Sequence, residues 1–499
     1  MSKSNYNNGC MSVIDDKNFE SSKLNSLGIF LFSIVIILIR YPSYILSPRI
    51  WAEEYIYIET FHSMNLIEGF NALLYPSYYV FLSRMAGYMS TLFDPSYYAV
   101  FNTLFGMCIL LIPISIICFT NSKYWNTLYK KVLLCMFLIF SCSTGEIWLN
   151  STNLGFIMPV ATFLILIDEN ISSMLKIFTY SVIIFLAALT GPISLMMAPF
   201  FFLKLISRRK RADYIFCMIF FFTGIFQLTY FYISLNIDSN IMNANRGIFS
   251  NELSFINQFY YFISPNIIFP FLGYFVASIF RNTMILFNDS SADFTFLENF
   301  FSNTENEFLL NLIFSNISNI SFLLNIFTFL IFITFIILIL RKMDRFEIVY
   351  FFILFFYLSI LINMLSLGGH GGYRYSYLTS FIVLFYLLSL SLNSKSIFPK
   401  VLISLSILIG IIEYYPRVIS FTPEYSVDKN YEWPIWSNEI QMWKKDPSYK
   451  PKIWPYLKKS KAPFPDRNSI WSINLNKPET FNASGQKFFT KELNKLITK

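Results

Sequence analysis

The strongest constraint on this chain is its series of long apolar segments, which contain almost no charged residues. Several reach about 18 residues or more, the length that an α-helix needs to cross the hydrocarbon core of a bilayer. Of the 499 residues, 55% are hydrophobic and 14% are charged, whereas soluble domains carry about 25% charged residues. Mean hydropathy is +0.51. We therefore expect an all-α, polytopic membrane protein.

Clusters of Lys and Arg between the apolar segments predict the topology. Residues 208–211 form the densest cluster and 341–345 the next, and both favour the cytoplasmic side. The pattern predicts a cytoplasmic N-terminal tail (1–26), a bundle of about 11 transmembrane helices (27–415) and a small periplasmic C-terminal domain (416–499). The predicted spans are residues 27–46, 97–120, 132–144, 154–167, 175–190, 193–206, 212–235, 321–340, 346–366, 375–392 and 400–415.

A long periplasmic stretch is predicted at 236–320. It contains an apolar segment, 259–280, that Pro265, Pro270 and Gly273 interrupt. Non-helical backbone at membrane depth is tolerated only where protein or water covers it. The sequence leaves open whether residues 259–287 form a re-entrant hairpin, a surface helix or a pair of spans.

Polar residues suited to chemistry concentrate on the predicted outer side. The first loop (residues 47–96) carries the adjacent acids Glu53 and Glu54, and further polar loops lie at 146–153 and 368–374. Nucleotide sugars are not available on that face, so an activated donor there must be borne by a lipid. A carboxylate can act as general base for a hydroxyl, and the planar fork of Arg matches phosphate oxygens.

The same residues resemble the integral-membrane glycosyltransferases of the GT-C fold, in particular the bacterial serotype-converting glucosyltransferases of O-antigen. The likeness begins with Trp51-Ala52-Glu53-Glu54 and departs from the usual pattern at Glu54 (Asp), Tyr55 (Gly) and Ser83 (Pro). The other segments that carry it are 69–74, 76–79, Ser83-Arg84, Glu146-Ile147-Trp148, Asn150, Thr152-Asn153, Thr190-Gly191-Pro192, 372–375, 443–447 and 453–455.

The resemblance implies an inverting transfer of a hexose from a polyprenyl-phosphate donor to lipopolysaccharide O-antigen at the bacterial inner membrane. In the resembled family that hexose is glucose. Glu53 or Glu54 would be the base. Arg40, Arg84 and Arg374 would bind the donor phosphate. The implied substrate-binding residues are Trp51, His62, Glu146, Asn150, Asn153 and Tyr373.

Each of these residues also has a structural interpretation. Glu53 and Glu54 can be a solvated pair, and Glu146 can be an interfacial acid that caps an Asn-rich turn. Arg40 and Arg374 can place their charge at the membrane interface. Arg84 can pair with Glu68 or Glu53, and both histidines, His62 and His370, can be structural or face solvent.

Some members of the resembled fold use a divalent metal, Mg or Mn, and Glu53, Glu54 and Glu146 would be its ligands here. The sequence assigns no other cofactor, no disulfide framework, no P-loop and no nucleic-acid partner. An O-antigen polymerase, a polysaccharide flippase or transporter, and a non-catalytic partner of a polysaccharide-assembly complex are the competing functions. Spans almost free of charge disfavour transport.

Overall fold

The computed structural model describes residues 23–40, 42–74, 78–141, 147–237, 355, 357–358, 373–393, 397–420, 431–432, 434–454, 456–457 and 472–475. These residues are almost entirely helical, which confirms the all-α class. The one pair of strands among them, β1 (Tyr431–Glu432) and β2 (Tyr456–Leu457), is antiparallel.

The helices follow the apolar segments and also fill the first loop. In chain order they are α1 (Lys23–Arg40), α2 (Pro42–Leu46), α3 (Glu54–Ser63), α4 (Leu66–Asn71), α5 (Phe81–Thr91), α6 (Tyr98–Phe119), α7 (Leu128–Phe140), α8 (Leu154–Ile167), α9 (Met174–Leu189), α10 (Pro192–Leu195), α11 (Ala198–Arg208), α12 (Arg211–Ile237), α13 (Tyr377–Asn393), α14 (Phe398–Ser420) and α15 (Trp436–Lys445).

Three described helical segments are long and apolar enough to cross a membrane: Lys23–Arg40, Pro95–Phe119 and Arg211–Ser234. Shorter apolar helices occur at Leu154–Ile167, Met174–Leu189 and Lys400–Ile412. These findings support a membrane protein, and the larger number of about eleven spans stays a prediction. The predicted span 321–340 and the segment 259–287 lie outside the described residues, as does most of 346–366.

Several helices have other bounds than the predicted spans, and proline explains one of the differences. In the range of the first predicted span the structure describes α1 up to Arg40 and α2 from Pro42, and Tyr41 lies outside the described residues. The predicted span 193–206 divides into α10 and α11, each with a proline in its first turn. Helix α1 already begins at Lys23, within the predicted tail, and α14 continues to Ser420.

Helix α8 is the centre of the bundle. All of its residues except Gly155 are buried, because α6, α9, α10 and α13 pack around it. A helix that is apolar on every side fits only such an enclosed position. The N-terminal end of α8 therefore has a fixed place, and the segment 147–153 that precedes it lies against the first loop.

The first loop folds into α3, α4 and α5, which the hydropathy pattern did not predict. Helices α3 and α5 approach closely at Gly87, where a Cβ atom would lie 2.6 Å from the Cβ of Tyr57. Asn65 and Glu68 form a reciprocal capping box at the start of α4, so Glu68 has a structural role.

The docking segments, which are the described residues between 431 and 475, pack on this loop. The Trp454 N–H donates to the Ile50 carbonyl at 3.0 Å, and the Ala52 N–H donates to the Trp454 carbonyl at 2.5 Å. The two parts share one buried apolar cluster: Ile50, Ile58, Tyr98, Ala99, Trp436, Ile440, Ile453, Ile473 and Leu475.

Candidate functional site

Glu54 joins three parts of the chain. Its side chain is 1% exposed. One carboxylate oxygen accepts the Trp51 N–H at 2.7 Å, and the other accepts the Ser151 N–H at 2.6 Å. Burial raises the pKa of Glu54 to about 7, against the lowering effects of these hydrogen bonds and of the Arg49 charge. Glu54 therefore titrates near neutral pH and holds the first loop to the segment before α8.

The Ser151 hydroxyl extends this arrangement to α6. Its oxygen lies 3.0 Å from the Glu54 carboxylate and 2.7 Å from the Asn102 side-chain oxygen. A hydroxyl has one proton, so it cannot donate to both. When Glu54 is protonated, its carboxyl donates to Ser151 and Ser151 donates to Asn102, so every member is satisfied. This geometry agrees with the raised pKa.

Two residues with left-handed backbone lie beside the contact between Glu54 and Ser151. Ala52 has φ 34° and Leu149 has φ 49°, and such conformations cost a non-glycine residue about 1–3 kcal/mol. Ala52 turns the chain so that Glu54 can accept the Trp51 N–H, and Leu149 precedes the Asn150-Ser151 segment that Glu54 contacts. The surrounding contacts hold both conformations.

Two buried arginines lie on either side of Trp148. The Arg40 guanidinium lies 3.7 Å from the centroid of the Trp148 ring and donates to the Ile139 carbonyl. Arg49 lies 3.4 Å from the Trp148 carbonyl and 3.1 Å from the centroid of the Tyr44 ring. Of the two charges, that of Arg49 acts on Glu54 and favours its ionised form.

Glu53 differs from its neighbour in exposure and in contacts. It precedes α3, is half-buried, and makes no side-chain cap hydrogen bond. Within the described parts of the chain its carboxylate forms no ion pair. Burial, the Glu59 charge and the Glu53 charge together raise the pKa of Tyr55 to about 12. The acidic pair is therefore divided into one enclosed and one accessible carboxylate.

Arg84 is buried and holds the backbone of the first loop. Its guanidinium donates to the carbonyls of Gly69 (2.9 Å), Phe70 (3.2 Å) and Ala72 (2.8 Å) and to the Tyr230 hydroxyl (2.7 Å). No ion pair with Glu68 or Glu53 occurs among the described residues, contrary to that interpretation of the sequence.

Helix α12 binds the first loop at Leu74 and Tyr79. Gln227 accepts the Tyr79 N–H and donates to the Tyr79 carbonyl, both at 2.9 Å. The Tyr230 hydroxyl accepts the Leu74 N–H at 3.1 Å. The sequence signal for these contacts is a Gln and a Tyr three residues apart near the end of an apolar span.

Of the remaining predicted substrate-binding residues, Trp51 and Asn150 lie near Glu54, whereas His62 contacts Tyr98. Trp51 is buried beside Glu54 and forms a parallel bridge with Trp454. The Asn150 side chain accepts the Asn153 N–H at 3.0 Å, which shapes the turn at Ser151. His62 lies elsewhere, 2.7 Å from the Tyr98 hydroxyl, and burial lowers its pKa.

Arg374 lies in a 3-10 turn, Tyr373–Ser376, that directly precedes α13. Its guanidinium is 5.4 Å from the centroid of the Tyr375 ring, which packs edge-on against Phe156 of α8. Glu146 lies outside the described residues, and nothing is described of the Tyr373 side chain.

Of the three predicted metal ligands the structure describes Glu53 and Glu54, and Glu146 lies outside the described residues. No group of three His, Cys, Asp or Glu side chains suited to a metal occurs in the part of the chain that the structure describes. Both oxygens of Glu54 already accept hydrogen bonds from Trp51 and Ser151.

Sequence reasoning missed Arg49, Asn102 and Ser151. Arg49 had a usable signal, since it is a second arginine close to Arg40 in a region with little charge. Asn102 and Ser151 had none, because their importance depends on which segments meet in three dimensions. Comparison of the chain with protein families, with curated proteins and with solved structures finds no match.

Proposed function

We propose that the chain is a membrane glycosyltransferase that moves a hexose from a polyprenyl-phosphate donor to a hydroxyl of O-antigen on the periplasmic face. The proposal includes about eleven spans, a cytoplasmic N-terminus and a periplasmic C-terminus in a bacterial inner membrane. It is supported by the resemblance of the first loop and by the division of labour between the two acids. That division carries the proposal.

Glu53 is the general base in this proposal. A base must come within hydrogen-bond reach of the proton that it removes, and Glu53 is the accessible member of the pair. Glu54 is the positioning residue, because its carboxylate is buried and bonded to Trp51 and Ser151. This assignment separates two residues that the sequence treats alike.

The proposed reaction is a single displacement with inversion. The Glu53 carboxylate takes the proton of the acceptor hydroxyl while its oxygen forms a bond to the anomeric carbon. The bond from that carbon to the phosphate oxygen breaks, and polyprenyl phosphate leaves with the electron pair. Arg374 is the best placed of the three predicted arginines to contact phosphate, since Arg40 and Arg84 are buried and donate to backbone carbonyls.

The test is transfer by the purified protein in lipid nanodiscs, with polyprenyl-phosphate glucose and an O-antigen polysaccharide. We expect Glu53→Gln to lower the rate by about 10²–10⁴-fold, the usual contribution of a general base, with an unchanged melting temperature. Glu68→Gln is the matched control, because Gln also serves in a capping box.

Two results would contradict the proposal. If Glu53→Gln transfers hexose like the parent, Glu53 is not the base. If the parent changes the length of O-antigen chains without adding a side-branch hexose, the competing function of polymerase is correct.

A further inference from the structure

A second group of side chains lies behind Glu53. Tyr57 is buried and forms an apolar cluster with Ala72, Leu74 and Val80, and the half-buried ring of Tyr78 packs against this cluster. Glu53 precedes Tyr57 by four residues on α3, a spacing that places two side chains on the same helix face. Tyr78 and Glu53 therefore border the same buried tyrosine.

The charges around Tyr57 are consistent with this arrangement. Burial raises the pKa of Tyr57, and the charges of Tyr78, Glu53 and Tyr230 raise it further, whereas Arg84 lowers it. These effects require the groups to be near the Tyr57 hydroxyl, because charge interactions fall off with distance. The charges of Glu53, Tyr78 and Arg84, which come from three separate parts of the first loop, thus all act on Tyr57.

The back of the Tyr78 ring lies against glycine. A Cβ atom at Gly191 would lie 3.7 Å from the Cε2 atom of Tyr78 and 3.8 Å from the Cα of Gly155. Gly191 has φ +145°, a conformation that side-chain-bearing residues rarely adopt. Because glycine has no side chain, neither Gly155 nor Gly191 displaces the Tyr78 ring.

The backbone beside Tyr78 is also fixed. Gln227 of α12 bonds both the N–H and the carbonyl of Tyr79. The Tyr79 ring packs edge-on against Phe226 and Tyr230, with centroids 4.9 and 5.3 Å apart. The backbone that carries the Tyr78 side chain is therefore held on its C-terminal side.

We propose that Tyr78 is the residue that contacts the acceptor sugar, with the partly exposed portion of its ring against the sugar ring and Glu53 facing the reacting hydroxyl. An aromatic ring offers a flat apolar surface, and the C–H face of a hexose is its apolar counterpart. The inference rests on the proposed function, and it assigns the acceptor side of the site to a residue to which the sequence analysis gave no role.

The test is the KM for an O-antigen oligosaccharide freed of its lipid, from a strain whose polysaccharide the parent modifies, measured in nanodiscs with saturating donor. Tyr78→Leu keeps the apolar packing on Tyr57 but removes the ring face. We expect it to raise KM at least about tenfold with a smaller change in kcat, the pattern of lost substrate binding. Tyr78→Phe and the exposed control Tyr97→Ala stay within about threefold of the parent.

Each alternative outcome has a defined meaning. A folded Tyr78→Leu protein with the parental KM overturns the inference and leaves the proposed function standing. If Tyr78→Phe raises KM as much as Tyr78→Leu does, the stacking role is wrong, because the ring alone would then be insufficient. A parent that transfers no hexose overturns the proposed function and the inference together.

Discussion

Glu54 and Ser151, 97 residues apart in the chain, are joined by hydrogen bonds of 2.6 and 3.0 Å to one carboxylate oxygen. The contact connects the first loop to the segment that precedes the central helix α8. Because Glu54 also accepts the Trp51 N–H, its carboxylate holds the turn that presents Glu53. The structural role of Glu54 and the proposed catalytic role of Glu53 can therefore be separated by substitution within one acidic pair.

Glu54→Gln should reduce stability. Gln keeps the size of the side chain but replaces one acceptor oxygen with an NH₂ group, which then faces the N–H of Trp51 or of Ser151. An unsatisfied buried donor costs about 1–3 kcal/mol. We expect a lower melting temperature in detergent than for the parent or for Glu68→Gln. An unchanged melting temperature would contradict the positioning role.

Stability should fall as pH rises through neutrality. Burial raises the pKa of Glu54 from 4.5 to about 7, so the folded state binds more protons than the unfolded state between these values, and unfolding becomes easier as they dissociate. Glu59, which accepts the Asn474 N–H, has its pKa raised to about 7 by burial and acts in the same direction.

The measurement is the melting temperature from pH 5 to 8. His62 opposes the trend because burial lowers its pKa, so the informative quantity is the difference between the parent and Glu54→Gln. We expect the substitution to remove a large part of the decline. If the melting temperatures of the two proteins differ by the same amount at every pH in this range, Glu54 does not titrate there.

Gly106→Ala should disturb the same contact from the side of α6. A Cβ atom there would lie 2.9 Å from the backbone of both Leu149 and Asn150, so the segment before α8 would have to shift. Gly28→Ala is the matched control in another apolar helix, since nothing lies within 4 Å of its Cβ position. We expect lower stability and activity for the first variant alone, measured by melting temperature and hexose transfer.

The sequence predicts the helical class and the importance of the first loop because both depend on local patterns, namely apolar run length and an acidic pair beside a span. It does not distinguish Glu53 from Glu54. That difference depends on Ser151 and on the docking of Trp454, which come from distant parts of the chain. The helices of the first loop were also missed, since their short amphipathic segments give no membrane signal.

Trp454→Ala should loosen the docking segments. Its ring is buried against the first loop, 6.0 Å from the Tyr44 ring, and its indole N–H donates to the Pro434 carbonyl at 2.7 Å. Removing a buried Trp costs about 3–5 kcal/mol. We expect faster amide hydrogen exchange at Ala52, whose N–H bonds the Trp454 carbonyl. Met442→Ala, at an exposed position of α15, should leave that exchange unchanged.

Arg84→Lys distinguishes a loop-holding arginine from a phosphate ligand. The guanidinium bonds three carbonyls and the Tyr230 hydroxyl at once, a geometry that a Lys ammonium cannot reproduce. If Arg84 holds the loop, Arg84→Lys lowers stability by about 2–3 kcal/mol, at roughly 1 kcal/mol for each bond lost. Tyr230→Phe removes one of these hydrogen bonds without changing the charge, so it should lower stability by a smaller amount.

The phosphate role makes the opposite prediction. Arg84→Lys would keep the parental melting temperature and weaken donor binding, and Tyr230→Phe would have no effect on either quantity. Because Arg84 is fully buried and already bonded to Gly69, Phe70 and Ala72, we expect the loss of stability. A donor phosphate could reach its guanidinium only after those carbonyls had been released, which would open the loop that carries Glu53.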